Sequence, residues 1–208
     1  MTRLWAEAFG EGDAYCTSFF ESHFRPEYSL VACEKSELCG MLHTVPKRLM
    51  GTPARYLYAV ATKKEKRSCG VFTALHKALL SECEEPFFLI PEGEHLRAFY
   101  EAFSYRTVAY RSRLGACEAR AISAAEAWEL YQARGEELSV ALSETEFFTT
   151  VQDKKLLQAE DPSSFFLQLP DGTLTSFFAV CGAQREPTAM VLERGKTVFE
   201  FVLPCFLN

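Results

Sequence analysis

A short basic segment between an apolar strand pattern and an apolar helix pattern constrains this chain most. It reads ATKKEKRSCGVFTAL (residues 61–75), and it holds Lys63, Lys64, Lys66 and Arg67 within five residues. One glycine then precedes the helix. The first N–H groups of a helix have no intrahelical partner, and the helix dipole is positive at that end. The sequence therefore predicts a corner that binds a phosphate-bearing anion.

The overall charge limits the class of partner. The chain has 208 residues, of which 48% are hydrophobic, and its formal net charge is -6. A chain of this size can bury a core in one large domain or two small ones. Nucleic acid demands a broad basic face, so we expect no nucleic-acid partner. The acidic field fits a cationic or neutral substrate better.

Cysteine usage and hydropathy predict the compartment. The eight cysteines form no CxxC pair, and no His/Cys cluster has the spacing of a zinc site, so we expect no metal. Reduced, buried cysteines are typical of a cytoplasmic protein. No apolar run approaches the ~20 residues that a membrane span needs, which predicts no membrane partner.

Hydrophobic periodicity predicts the element order of the first half. The expected elements are a helical region (4–24) broken near Gly10, hairpin strands (28–34 and 38–45), a loop (46–54), a strand (55–62), a helix beginning at Val71, a strand (86–90), a helix (94–103) and a strand (105–114). The basic segment thus joins a strand to a helix.

A second α+β pattern follows. Ser123 and Ser143 each precede a glutamate by three residues, which is the capping-box spacing of a helix start. Apolar runs then flank a Pro-Asp-Gly turn at 170–172, and strand patterns complete the chain. We therefore predict two domains, at residues 1–115 and 116–208.

Motif spacing narrows the class of phosphate-bearing ligand that the corner would bind. The chain contains neither GxxxxGK[ST] nor GxGxxG, which argues against a P-loop hydrolase and a dinucleotide fold. The run Arg67-Ser68-Cys69-Gly70-Val71-Phe72 resembles the [QR]-x-x-G-x-[GA] acetyl-CoA loop of the GNAT superfamily of N-acetyltransferases. LRAFYEAFSYRTV (residues 96–108) resembles the second signature of that family.

The resemblance implies an α+β fold with a mixed, mostly antiparallel sheet. The segments LWAEAFGEGDAYCTSFFESHF and LIPEGEHLRAFYEAF are similar to a bacterial GNAT branch, related to the enhanced-intracellular-survival type, that carries a second, degenerate GNAT-like half. A smaller carboxyl-terminal α+β domain of that kind is expected here. It would shape the acceptor pocket or a homo-oligomer interface.

The resemblance also implies acetyl-CoA as co-substrate, held between two splayed parallel strands (55–62 and 86–90). Lys63, Lys66 or Arg67 would reach its outer phosphates. The residues implied to bind acetyl-CoA through their backbone are Val60, Ala61, Thr62, Arg67, Ser68, Cys69, Gly70, Val71, Phe72 and Thr73.

Catalytic and acceptor residues follow from the same resemblance. Tyr100 matches the tyrosine that protonates the departing CoA thiolate, and a phenol is a suitable acid for a thiolate. The base is a glutamate, a water chain or the carboxylate of Asn208. Tyr56 and Tyr58 would line the pocket of the acceptor amine, which belongs to a small molecule or a peptide.

Several positions depart from the family pattern, and two other functions stay open. Ser68 and Ser104 stand where glycine is usual, and Phe72 stands where glycine or alanine is usual. The alternative to an enzyme is an acyl-CoA-binding or partner-binding protein that kept the fold. A third reading is a nucleophilic cysteine, Cys69, whose thiol pKa would be lowered by the adjacent cations and helix start.

Overall fold

The computed structural model describes most of the chain. The described residues are 1–10, 12–22, 24–115, 119–134, 142–158, 165–169, 172–176, 184–194 and 201–202. The helices are α1 (Thr2–Phe9), α2 (Asp13–Ser22), α3 (Val71–Glu82), α4 (Gly93–Glu101), α5 (Ala124–Ala133) and α6 (Glu144–Val151). Two short 3₁₀ turns span Pro26–Tyr28 and Lys64–Lys66.

Thirteen strands accompany these helices in the described ranges. They are β1 (Ser29–Glu34), β2 (Glu37–Leu49), β3 (Thr52–Thr62), β4 (Phe87–Leu89), β5 (Arg106–Thr107), β6 (Ala109–Leu114), β7 (Arg120–Ala121), β8 (Lys155–Gln158), β9 (Phe165–Gln168), β10 (Leu174–Ser176), β11 (Gln184–Pro187), β12 (Met190–Leu192) and β13 (Phe201–Val202). The combination is an α+β fold.

The chain divides into two compact units. The first contains residues 1–46 and 55–87, and the second contains residues 47–54 and 88–208. This division falls earlier in the chain than the domain boundary that the sequence suggests near residue 115. The strand β6 explains the difference, because it pairs with β10, β11 and β13 of the carboxyl-terminal half. Separate domains at 1–115 and 116–208 stay a prediction.

The first unit is built on an antiparallel arrangement in which β1, β2 and β3 are neighbours in that order. The predicted hairpin is confirmed, with Glu34 opposite Glu37 at its end. Lys35 and Ser36 form the turn with φ values of 49° and 68°. Two central residues with positive φ are the arrangement of a type I′ turn, whose twist matches that of the strands.

The predicted loop at 46–54 is wrong, since β2 continues to Leu49 and β3 begins at Thr52. Met50 (φ 49°) and Gly51 (φ 73°) form a second two-residue turn between them. The predicted single strand at 105–114 is also wrong. Val108 N and Ala109 N both donate to Ala189 O, and this irregularity separates β5 from β6.

Aromatic and apolar side chains form the core of the first unit. Leu4, Trp5, Cys16, Met41, Ala59 and Ala61 form one buried cluster. His43 lies beside it, 3% exposed, with Nδ1 2.6 Å from Ser29 Oγ and its ring 5.9 Å from that of Trp5. Burial, and to a smaller extent the charge of the amino terminus, lowers the pKa of His43 to about 4. This histidine is therefore neutral at physiological pH.

The second unit contains the sheet ordered β11-β6-β10-β9-β8-β7, with β13 parallel to β6. The strands β12 and β5 lie side by side in the same unit. One core cluster joins α5 and α6 to the sheet through Tyr131, Phe147, Phe165 and Leu167. The hydroxyl of Tyr131 accepts a hydrogen bond from Leu142 N at 2.8 Å, which satisfies this buried polar group.

Candidate acetyl-CoA site

The predicted anion corner lies at the start of α3, in the first unit. Gly70 precedes the helix with φ 77° and ψ 9° and provides no capping side chain. Its carbonyl accepts the helical hydrogen bond of Ala74 N at 2.9 Å. The N–H groups of the first helical turn, from Val71 onward, therefore donate no hydrogen bond to an N-cap side chain. We name residues 67–73 the anion corner.

Residues 67–70, which enter this corner, are exposed to solvent. Arg67 is extended (φ -64°, ψ 148°), and Ser68 has a positive φ of 61°. A left-handed conformation is costly for a residue with a Cβ, which explains why glycine is usual at this position in the family pattern. Despite this cost, the loop leads to Gly70, and α3 begins at the next residue.

Phe72 does not cover the corner. Its side chain is 8% exposed, and its ring stacks on that of His76 with centroids 5.3 Å apart and an interplanar angle of 23°. The aromatic ring is thus buried in the first unit. A phenylalanine in place of glycine or alanine therefore leaves the exposed side of the helix start accessible.

Two lysines of the basic segment already have carboxylate partners. Lys63 is ion-paired and hydrogen-bonded to Glu37, and Lys66 to Glu34. The bond to Glu37 raises the pKa of Lys63, and the bond to Glu34 raises the pKa of Lys66. Arg67 is exposed in the same segment and is the cation that directly precedes the helix start.

Gly40 in β2 is a close-packed position beside the anion corner that the sequence reasoning missed. A Cβ built on Gly40 would lie 2.5 Å from Val71 Cγ1, 3.2 Å from Ala61 O and 3.3 Å from Leu75 Cδ1. Its missing side chain lets the first turn of α3 lie against β2 and the end of β3. The signal was present, because a glycine inside an apolar strand indicates close approach of another segment.

The end of β3 leads directly into the corner. Lys63 N donates to Cys39 O at 2.9 Å, so the pairing with β2 persists to the end of the strand. At its beginning, Arg55 N donates to Pro86 O at 2.9 Å. The strand β3 continues to Thr62. The backbone pairing of residues 60–62 with acetyl-CoA stays a prediction.

The two tyrosines predicted for the acceptor share one face of β3. Tyr56 is 4% exposed, and burial raises the pKa of its phenol. Tyr58 is half-buried, with its ring 5.9 Å from both Tyr56 and Trp5. Both rings therefore contribute to packing in the first unit, and their role toward an acceptor stays a prediction.

Known proteins similar to this chain are found by structure and not by sequence. No family model matches the sequence, and no curated protein matches it either. A GCN5-related N-acetyltransferase from Kribbella flavida superposes with a TM-score of 0.59 at 14% identity, over 91% of this chain and 67% of that one. A conserved protein of unknown function from Enterococcus faecalis, a probable N-acyltransferase, gives 0.64 at 12% identity, over 93% and 69%.

The chain has the GNAT fold. Eis1 of Mycobacterium abscessus is also similar, with a TM-score of 0.57 at 14% identity, over 79% of this chain and 49% of that one. The predicted fold class is confirmed by these neighbours. At such identities the likeness concerns the fold, and the chemistry has to be argued from the residues of this chain.

Tyr100, the predicted acid of the GNAT resemblance, lies on α4 in the second unit. It is 8% exposed, with its ring 5.6 Å from Tyr105 and 5.2 Å from Phe99. Burial raises the pKa of Tyr100 to about 12. The phenol is therefore protonated throughout the physiological pH range.

The turn after α4 shows a second serine where glycine is usual in the GNAT pattern. Ser104 has φ 66°, and its N–H donates to Glu101 O at 2.9 Å. Ser68 and Ser104 thus both hold conformations that a glycine adopts without strain.

The predicted residues fall into three groups. Tyr56, Tyr58, residues 60–62 and the anion corner belong to the first unit, and Tyr100 belongs to the second. Asn208 lies outside the described residues, so its carboxylate as a base stays a prediction. In the described ranges, no helix is long and apolar enough to cross a membrane, and no cluster of three metal-binding side chains occurs.

Proposed function

We propose that this protein is an N-acetyltransferase that transfers the acetyl group of acetyl-CoA to an amine of a small molecule or peptide. Solved structures with the same fold include a GCN5-related N-acetyltransferase and a probable N-acyltransferase. The observation that carries the proposal is local. The helix α3 begins at Gly70 without a side-chain cap, in an exposed basic loop at the end of a strand. Helix starts of this kind bind diphosphates.

Each part of the site has a defined task in direct transfer. The anion corner binds the diphosphate, and the backbone of residues 60–62 pairs with the pantetheine arm as an added strand. The amine nitrogen attacks the thioester carbonyl, the C–S bond breaks and the nitrogen passes a proton to the base, which we propose to be a glutamate, a water chain or the carboxylate of Asn208. The sulfur takes up a proton, and the Tyr100 hydroxyl is the donor for it. Positioning and proton transfer supply most of the acceleration in such a reaction.

The acceptor is proposed from charge and from the pocket residues. A net charge of -6 favours a cationic amine, such as an aminosugar, a polyamine or a peptide amine. Tyr56 and Tyr58 would line its pocket. We also propose that residues 116–208 are a degenerate GNAT-like half of the type present in the enhanced-intracellular-survival branch, with a role at the acceptor pocket or a homo-oligomer interface.

Calorimetric titration with acetyl-CoA tests the first step. We expect a micromolar dissociation constant, and weaker binding of ADP with a 3′-phosphate, which lacks the pantetheine arm. A panel of amines with a thiol-release readout then tests transfer. Absence of binding at millimolar acetyl-CoA would refute the proposal.

Replacement of Tyr100 by phenylalanine tests the proton donor. The hydroxyl is lost and the ring is kept, so we expect kcat to fall about 100-fold, within the usual range for general acid catalysis. The affinity for acetyl-CoA should stay within twofold of wild type. Because the pKa of Tyr100 is about 12, the wild-type rate should show no loss attributable to this phenol between pH 6 and pH 9. An unchanged kcat in Tyr100→Phe would remove Tyr100 from the mechanism.

A non-catalytic acyl-CoA-binding or partner-binding protein is the second candidate. It is favoured by one observation: Lys63 and Lys66 are held by Glu37 and Glu34 rather than directed by their charge toward a ligand. The two functions differ in one measurement. A binding protein would give a calorimetric signal with acetyl-CoA and no thiol release with any amine of the panel.

A further inference from the structure

The basic segment faces two carboxylates from the neighbouring hairpin. Glu34 ends β1 and Glu37 begins β2, and they are opposite each other in the antiparallel register. Glu37 binds Lys63, and Glu34 binds Lys66. The hydrogen bond from Lys63 also lowers the pKa of Glu37, in keeping with an ionised pair. The hairpin thus neutralises two of the four cations that the sequence places before α3.

Both ion pairs are partly exposed to solvent, and each lysine has one defined carboxylate partner. The lysine side chains are 30% and 34% exposed, and the glutamate side chains are 62% and 60% exposed. Exposed ion pairs contribute little to stability, so structural need alone does not explain two of them on adjacent positions of one hairpin. Their consequence is electrostatic, because a phosphate that approaches Lys63 or Lys66 meets a carboxylate already bound there.

The positive groups that are not ion-paired determine which part of acetyl-CoA the anion corner can recognise. The diphosphate of acetyl-CoA can bind to backbone N–H groups at the helix start and to Arg67, neither of which the hairpin occupies in the described contacts. A phosphate monoester such as the 3′-phosphate carries about two negative charges, so it gains most from charge-assisted hydrogen bonds to cations. Lys63 and Lys66, two of the four cations of the basic segment, are neutralised by their ion pairs.

We infer that Glu34 and Glu37 are specificity-determining residues that suppress selection for the 3′-phosphate of the acyl-CoA co-substrate. This inference rests on the proposed acetyl-CoA site. Wild-type protein recognises the diphosphate and the pantetheine arm, and it accepts acetyl-CoA and its 3′-dephospho form with similar affinity. Removal of the two carboxylates frees Lys63 and Lys66, and the 3′-phosphate then adds to the affinity.

Calorimetric titration of both ligands into three proteins tests this. The proteins are wild type, the double variant Glu34→Gln, Glu37→Gln, and the control Glu65→Gln. Glu65 lies in the same basic segment and acts on Lys63 through charge, whereas the hydrogen bond is that of Glu37. The control therefore removes one negative charge from the same surface and keeps both ion pairs. Thermal unfolding confirms that each variant is folded.

The ratio of the two dissociation constants decides the outcome. We expect a ratio below five for wild type and for Glu65→Gln. We expect at least a fivefold increase of that ratio in the double variant, through tighter binding of acetyl-CoA. A wild-type ratio of five or more, or a ratio that the double variant leaves unchanged, overturns the inference while the proposed function stands. If none of the proteins binds either ligand, the proposed function itself fails and the inference falls with it.

Discussion

Two helix starts of the second unit differ from the start of α3 in the first unit. In the second unit, α5 begins at Ser123 and α6 at Ser143, and each has a complete capping box. Ser123 N donates to Glu126 Oε2 at 2.8 Å, and Ser143 N donates to Glu146 Oε2 at the same distance. In the first unit, α3 begins at Gly70, which offers no side chain.

This difference separates a helix start that is closed within the chain from one that we propose as a ligand site. A capping box satisfies two backbone donors within the chain and places a carboxylate where an anion would otherwise bind. The start of α3 lacks that carboxylate and follows a basic segment. A side-chain cap therefore closes the helix start in α5 and α6, and the absence of such a cap at Gly70 leaves the start of α3 available to an anion.

The largest effect is expected when α3 is given a carboxylate of its own. In Gly70→Asp, the negative charge lies beside the first helical N–H groups, and we expect acetyl-CoA affinity to fall about 100-fold, as removal of a charge-assisted contact predicts. The matched control is Gly70→Asn, which has the same size and tolerates the left-handed conformation equally. It should lose less than about tenfold by calorimetry. Equal losses in both variants would show that shape, rather than charge, matters at this position.

A smaller effect is expected when α3 is displaced as a whole. The Cβ of Gly40→Ala would lie 2.5 Å from Val71 Cγ1, so the first turn must shift away from the sheet. Such overpacking costs about 1–3 kcal/mol in a packed core. We expect acetyl-CoA affinity to fall about tenfold, with a lower melting temperature.

Gly12→Ala is the control for Gly40→Ala, because its added Cβ has nothing within 4 Å. It should leave both affinity and melting temperature close to wild type. A Gly40→Ala protein that binds acetyl-CoA as wild type does would show that the corner does not depend on this contact.

Acid should weaken the capped helix starts. Burial tends to raise the pKa of Glu146, but hydrogen bonds from Lys47 and Ser143 outweigh it and lower the pKa. A lowered folded pKa gives a contribution that is complete above pH 4.5 and is lost as the pH falls through the folded value. We expect Glu146→Gln to reduce the free energy of unfolding by about 1 kcal/mol at pH 7, as for a typical cap. The difference from wild type should shrink progressively in denaturant titrations as the pH falls below 4.5.

Glu126→Gln provides the comparison for this pH effect. Hydrogen bonds from Ser123 likewise lower the pKa of Glu126, but its only cationic partner among the described ion pairs is the exposed Arg120. Its effect should have the same sign and a smaller size. A larger effect for Glu126→Gln than for Glu146→Gln would contradict the role given to Lys47.

The smallest effect concerns the strained serine in the approach to α3. Ser68 has φ 61°, so Ser68→Gly should raise the free energy of unfolding by about 0.5–1 kcal/mol through relief of the left-handed conformation. Its acetyl-CoA affinity should stay equal to wild type or improve. Ser104→Gly, at φ 66°, should give the same gain in stability and no change in affinity. A loss of stability in both variants would mean that the serine side chains make compensating contacts.

Local patterns were sufficient for much of the fold. The KSE turn, the helix after Gly70 and both capping boxes are confirmed, since each depends on residues within one or two turns of chain. The loop expected at 46–54 was wrong because prolines and a glycine suggested a break. The long hairpin instead continues to a two-residue turn at Met50 and Gly51.

Local sequence patterns did not predict which distant strands pair with each other. The apolar run at 105–114 looks like one strand, yet β5 pairs with β12 while β6 pairs with β10 and β11. The partners of these strands are 60 or more residues away in the sequence, and only the assembled sheets place them beside each other.

The sequence by itself determined the chemistry of the corner: a basic segment, one glycine and an apolar helix that begins without a cap. These are local properties, set by backbone conformation and charge over about ten residues. Only the tertiary structure decided which of those charges remain available, since Glu34 and Glu37 reach Lys66 and Lys63 through strand pairing. It also decided that Gly40 must lack a side chain, because the contact with Val71 joins residues 31 positions apart in the sequence.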